Sequence, residues 1–153
     1  MRVCVLHRYP ISLVRGTNPS FPLFLKKMVA RGDEVVFVSF KETEDGFDID
    51  GVEKQELELA LNRASALDNL AKSILFVLLT PLIVRRINRK RALGLVYCDD
   101  SFPFYAFLVR KLVGVRTIMR LGDLQSAYMF ADAGRIGRVV FGMLLALEKI
   151  MWT

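Results

Sequence analysis

"MRVCVLHRYPISLVRGTNPSFPLFLKKMVARGDEVVFVSF", residues 1–40, decides the fold. It opens on a run from Arg2 to His7 in which apolar residues do not alternate cleanly with polar ones. A strand reads that way when both of its faces are covered. It closes on a second such run, Glu34 to Phe40. Between them Phe21, Phe24, Leu25, Met28 and Val29 fall at i, i+3, i+4, i+7 and i+8, one apolar face of a helix. Ser20 suits the N-cap of that helix, and Pro22 falls in its first turn, where a missing N–H costs little. Gly32 suits a left-handed C-terminal cap.

Working outward, Lys41 to Gly51 is an acidic, glycine-punctuated loop. Leu57, Leu59 and Leu61 alternate with polar residues, which fits a half-exposed strand and also leaves a helix open. From Leu67 to Leu79 the pattern is helical. Thr80-Pro81 reads as an N-cap followed by proline at the first helical position, so a second helix or a kink is expected there. "LGLVYC" (93–98) is a further strand, "FPFYAFLVRKLVG" (102–114) a short helix ended by Gly114, and "VRTIMRL" (115–121) another strand. Gly134 to Trp152 reads as a last, very apolar helix. Strands and helices therefore alternate, which predicts an α/β fold, a Rossmann-like doubly wound parallel sheet with helices on both faces. Val3–Leu6 is expected at its centre, between Val35–Val38 and Leu95–Tyr97.

The 153 residues are 53% hydrophobic, with a mean hydropathy of +0.34. That is high for a soluble domain of this size and points to a doubly covered sheet, a membrane-facing surface or a missing partner domain. The longest apolar stretch, "ILFVLLTPLIV" (74–84), falls well short of the ~20 residues needed to cross a bilayer. The N-terminal run is too short for a signal peptide. Cys4 and Cys98 lie inside strand-like runs and read as buried thiols of a reducing compartment. With His7 the single histidine, no metal-ligand set is expected.

The net charge of +6 hides a division. Between Asp33 and Glu58 ten acids face two lysines, a local −8, which leaves +14 on the remaining residues. "RRINRKR" places five cations, Arg85, Arg86, Arg89, Lys90 and Arg91, in seven positions. Such a surface favours a polyanion, either nucleic acid or an acidic membrane.

In open parallel sheets ligands bind beyond the carboxyl ends of the strands. That rule selects three loops: His7 to Ser20, Asp99-Asp100-Ser101, and Gly122-Asp123. In the first, Gly16 lets the backbone approach a ligand and the helix start offers unpaired N–H groups, while on loop chemistry alone simple turn-making is the better account of Gly16 and Thr17. The loop carries neither the dinucleotide nor the Walker glycine pattern. Asp99 and Asp100 end a buried strand, so one can cap the next helix and the other meet a polar substrate. Arg120 and Asp123 either pair with each other or face a ligand in the cleft. His7 is a ligand-binding candidate or a satisfied core histidine. No nucleophile–base pair is present in the sequence pattern.

Three segments, "MRVCVLHRYP", "GTNPSFPLFLKKMVARGDEVVFVS" and "GLVYCDDSFPFYAFLVRKLVGVRTIMRLGD", together resemble the N-terminal half of a glycosyltransferase of the GT-B fold, of the family 4-like type. The resemblance runs over residues 1–153. It implies an acceptor-binding domain with Asp99, Asp100, Arg120 and Asp123 at the catalytic cleft and Gly16 and Thr17 at the phosphate-side loop. The co-substrate would be a nucleotide-sugar, with no further cofactor and no metal, and the acceptor lipid-linked or glycan. Gly16-Thr17 stands where such proteins often have two glycines, and Arg120-Leu121-Gly122-Asp123 where many carry His-Gly. The family's second, sugar-nucleotide-binding domain has no counterpart in the sequence, so the expectation is an acceptor-side half that needs a C-terminal GT-B domain or partner subunit to turn over.

Two other classes compete. One is a non-catalytic membrane-associated subunit that recruits a separate catalytic half. The other is a nucleic-acid module built on "RRINRKR", which lacks a base-stacking aromatic array, so no nucleic acid is expected. The expected location is the cytoplasm, at the inner face of an anionic membrane met by Arg85, Arg86, Arg89, Lys90 and Arg91.

Overall fold

A run of valines that alternates faces can be buried throughout only when both faces are covered. In the computed structural model, which describes residues 1–11, 20–41, 48–58, 66–99 and 104–120, that cover is present. The strands are β1 (Arg2–Leu6), β2 (Glu34–Phe40), β3 (Val52–Leu57), β4 (Leu95–Asp99) and β5 (Thr117–Arg120). The helices are α1 (Ser20–Ala30), α2 (Ala66–Lys90) and α3 (Phe104–Val113). The five strands form one sheet in the order β3-β2-β1-β4-β5. Every neighbouring pair is parallel, as in a Rossmann-like domain.

β1 is central, as expected: Val3 pairs with Val35 on one side and with Leu95 on the other. Val3 and Val5 join Val35 and Phe37 under α1, which contributes Phe21, Leu25 and Met28. Cys4 and Leu6 join Val38, Phe40, Val96 and Cys98 on the opposite face, under Phe76 and Val84 of α2 and Tyr105 and Val109 of α3. Cys4 and Cys98 are buried and unbridged, and burial pushes the Cys4 thiol far up.

α1 keeps its apolar stripe inward, with Phe21, Pro22, Leu25 and Met28 buried. Ser20, expected as its cap, is already helical. Gly32 closes the helix at φ +84°, its N–H bonded to the Val29 carbonyl at 2.8 Å. Next to it the Asp33 carboxylate accepts from the N-terminal amine of Met1 at 3.0 Å and from Arg31 at 2.8 and 2.5 Å. These bonds, Arg31's first, hold the Asp33 carboxyl below its usual range.

Two expectations need correction. The Thr80-Pro81 step starts no second helix: α2 runs through it as one helix of 25 residues. Pro81 withholds only the N–H that would reach the Val77 carbonyl. Thr80 does not cap. Its hydroxyl donates to the Phe76 carbonyl at 2.6 Å, inside the helix. Phe76 and Val77 before the step and Val84 after it are all buried. The strand expected around Leu57 lies earlier, at Val52–Leu57, with Leu57 as its buried end. Its exposed Glu53 and Gln55 suit a sheet edge, where charge discourages further pairing. Leu59, Leu61 and the helix expected over 134–152 lie outside the described residues.

Candidate functional site

The strand order reverses between β1 and β4, and the carboxyl ends there form the edge where ligands bind in such sheets. Asp99 ends β4 and Arg120 ends β5, and the register pairs them directly. Paired residues of adjacent parallel strands point to the same face, so the side chains meet: Arg120 Nε lies 4.0 Å from Asp99 Oδ1. The carboxylate is buried, 8% exposed, whereas the guanidinium is 52% exposed. The pair thus joins a fixed, protein-enclosed acid to a cation that faces solvent.

Tyr97, two residues before Asp99, lies on the same face by strand parity. Its ring packs against Phe24 of α1 at 5.0 Å between centroids. Burial and then the Asp99 charge raise the Tyr97 pKa, while Arg120, which also donates a hydrogen bond to it, pulls the other way. Tyr97, Asp99 and Arg120 therefore form one polar group with an aromatic flank. It can accept a hydroxyl proton at the carboxylate, hold an anionic or hydroxyl oxygen at the guanidinium, and offer ring surface to an apolar face.

His7 follows the end of β1, where its backbone N–H still bonds the Val38 carbonyl at 3.1 Å. Nδ1 lies 3.1 Å from the Tyr9 amide nitrogen and 3.2 Å from the Tyr9 carbonyl oxygen, so the ring has a partner in its own turn in either tautomer. The ring is tilted against Phe21 at 5.5 Å and Tyr9 at 5.8 Å. That is a packed, partnered histidine, in line with the structural alternative.

Arg8 went unread in the sequence. It is buried, with Nη1 donating to Ser73 of α2 at 3.1 Å and its guanidinium carbon 5.3 Å from the Tyr9 ring centre. An arginine directly after a doubly covered strand was the available signal. Gly16, Thr17, Asp100 and Asp123, expected beside Asp99 and Arg120, lie outside the described residues. Among the described residues, no group of three or more His, Cys, Asp or Glu side chains is placed to hold a metal ion.

In the acidic segment Lys54 pairs with Asp48 at 2.6 Å and Lys41 with Glu58 at 2.7 Å, so both lysines there are engaged by acids. Arg85, Arg86, Arg89, Lys90 and Arg91 are all exposed at the end of α2, where Arg91 Nη1 lies 3.9 Å from the Glu34 carboxylate at the start of β2. Cations there complement the helix dipole. Among the described residues no helix is long and apolar enough to cross a membrane.

No known protein family and no curated protein matches the sequence. Solved structures do. The C-terminal domain of a hydrogenase from Pyrococcus furiosus is similar over 78% of this chain and 90% of its own, at 16% identity and a TM-score of 0.53. The glycotransferase of kitacinnamycin is similar over 77% of this chain, at 18% identity and a TM-score of 0.49. A glycosyltransferase from Rickettsia africae is similar over 86% of it, at 14% identity and a TM-score of 0.48. This chain spans 29% and 34% of those two transferases. At such identities the first likeness speaks for the Rossmann-like fold alone.

Proposed function

We propose that this chain is the acceptor-side half of a glycosyltransferase of the GT-B, family 4-like type. It would take part in moving a sugar from a nucleotide-sugar to a lipid-linked or glycan acceptor. The observation that carries the reading is the Asp99–Arg120 pair at the carboxyl edge of β4 and β5, buried at the acid and open at the cation. The Asp99 carboxylate accepts a hydrogen bond from the acceptor hydroxyl, Arg120 binds an acceptor phosphate or hydroxyl oxygen, and the Tyr97 ring flanks the sugar. The sequence resemblance adds Asp100 and Asp123 to that cleft and Gly16 and Thr17 to the loop after β1. Nucleotide-sugar binding and turnover then fall to a second domain or subunit.

The test is an NMR titration of the full chain with a panel of glycans and short polyprenyl-phosphate sugars. The amides of Asp99 and Arg120 should shift with a bound acceptor, and Asp99→Asn should weaken binding tenfold or more with the fold intact. An empty panel alongside oligonucleotide binding would reject the reading. An empty panel alongside membrane binding would favour a non-catalytic, membrane-associated subunit, to which the outward side of α2 also lends support.

A further inference from the structure

α2 is apolar on two opposite sides. Phe76, Val77, Thr80 and Val84 face the sheet and are buried. Ile74, Leu75, Leu78 and Leu82 are 51%, 40%, 59% and 63% exposed. At 3.6 residues per turn, Ile74, Leu78, Leu82, Arg85 and Arg89 fall within an arc of about 80°, and Leu75 and Arg86 widen it to about 120°. The centre of that arc is opposite the buried one. Along the axis the stripe is divided: four aliphatic side chains come first, then three exposed arginines, over about 22 Å. No acid occurs from Asn69 to Arg91.

We infer that this outward stripe docks on the surface of an anionic bilayer. A bilayer offers hydrocarbon just beneath its headgroups and phosphates among them, which is the pairing the stripe presents. The helix would lie in the interface, its Ile74–Leu82 half sunk among the acyl chains and Arg85, Arg86 and Arg89 held in the headgroup layer. Lys90, exposed just beyond, extends the cationic end, while Arg91 lies 3.9 Å from the Glu34 carboxylate.

A second copy of the chain fits less well. In a two-fold antiparallel pair the arginines of each copy would cover Ile74 and Leu75 of the other and lose their water without gaining an anion. The inference is independent of the glycosyl-transfer reading, because vesicle binding involves no sugar and none of Tyr97, Asp99 and Arg120.

The experiment is co-sedimentation of the full chain with phosphatidylcholine vesicles containing none or 30% phosphatidylglycerol, at about 0.1 and 0.5 M salt. Binding is expected only with the anionic lipid and should weaken at high salt. Arg85→Gln, Arg86→Gln and Arg89→Gln combined should lower the partition coefficient on the order of a hundredfold. Leu78→Ser with Leu82→Ser should lower it at least tenfold, and both variants should keep the thermal midpoint of the parent. Equal binding to neutral and anionic vesicles, or no loss in either variant, overturns the inference. So does a solution dimer that the double serine variant dissociates, which would make a second copy the occupant. A large fall in its midpoint without lipid would show the stripe already covered within the chain and would overturn the inference as well.

Discussion

α1 and α2 cover opposite faces of the same sheet, yet they meet water differently. α1 carries one apolar stripe, spends it on Phe21, Leu25 and Met28, and exposes a single large apolar residue, Leu23. α2 buries an equivalent set and exposes four more. The first pattern is what folding alone requires. The second exceeds it, and surplus apolar surface in a row on one helix is what the proposed membrane contact would cover. Their ends differ in the same sense. α1 stops at Gly32 and the Asp33 clamp. α2 stops where Asn88 Oδ1 accepts the Leu93 N–H at 2.8 Å, amid exposed arginines.

The contrast can be broken at its strongest points first. Phe76→Ala on α2 and Phe21→Ala on α1 should each cost about 3–5 kcal/mol in denaturant melts, since both rings are nearly fully enclosed. A markedly cheaper Phe76 would mean that α2 is less firmly seated than α1. Gly51→Ala comes next. Gly51 sits at φ +81°, and an added Cβ would lie 2.6 Å from Cγ1 of Val29 on α1. Gly32→Ala, at φ +84° with open space around it, should show the backbone cost alone, about 1–2 kcal/mol. The excess for Gly51 then measures how firmly α1 is held.

Thr80→Val tests the seating of α2 around Pro81. Loss of one buried hydroxyl bond should cost about 1 kcal/mol and leave helix content unchanged. The effect of Asp33→Asn should depend on pH. The folded-state pKa of Asp33 is lowered, chiefly by Arg31, so its stabilisation is present above the ordinary carboxylate pKa of about 4 and fades as pH falls through the folded value. Melts of parent and variant should differ at pH 7 and converge in acid. The smallest effect is expected at Leu78→Ser: within about 0.5 kcal/mol without lipid, despite removing a large aliphatic side chain.

β1, β2, α1 and their order were legible because each carries a strong local signal: unbroken valines, a single 3.6-residue stripe, a glycine at the helix end. α2 was harder, because a helix apolar on two opposite sides has no single face that periodicity can assign. Thr80-Pro81 is as good a start for a helix as an interruption within one, and only packing of Phe76 and Val84 on the sheet decides. Asp99 and Arg120 were selected by their positions at strand ends. Their partnership depends on the register of β4 against β5, which no local pattern carries. Tyr97 followed from strand parity and was missed. Arg8 sits between His7 and Tyr9, where no periodicity marks it as buried.

The central place of β1 also bears on how the chain folds. Val3 needs Val35 on one side and Leu95 on the other, so the first strand made is the last to be completed. Until β4 arrives, β1 has an open edge of unpaired amides and carbonyls. Pairings this distant in sequence close slowly, on the millisecond-to-second scale. In that interval the half-built sheet is exposed to joining another copy edge to edge. Refolding should therefore lose yield as protein concentration rises, even under conditions where the finished sheet is stable.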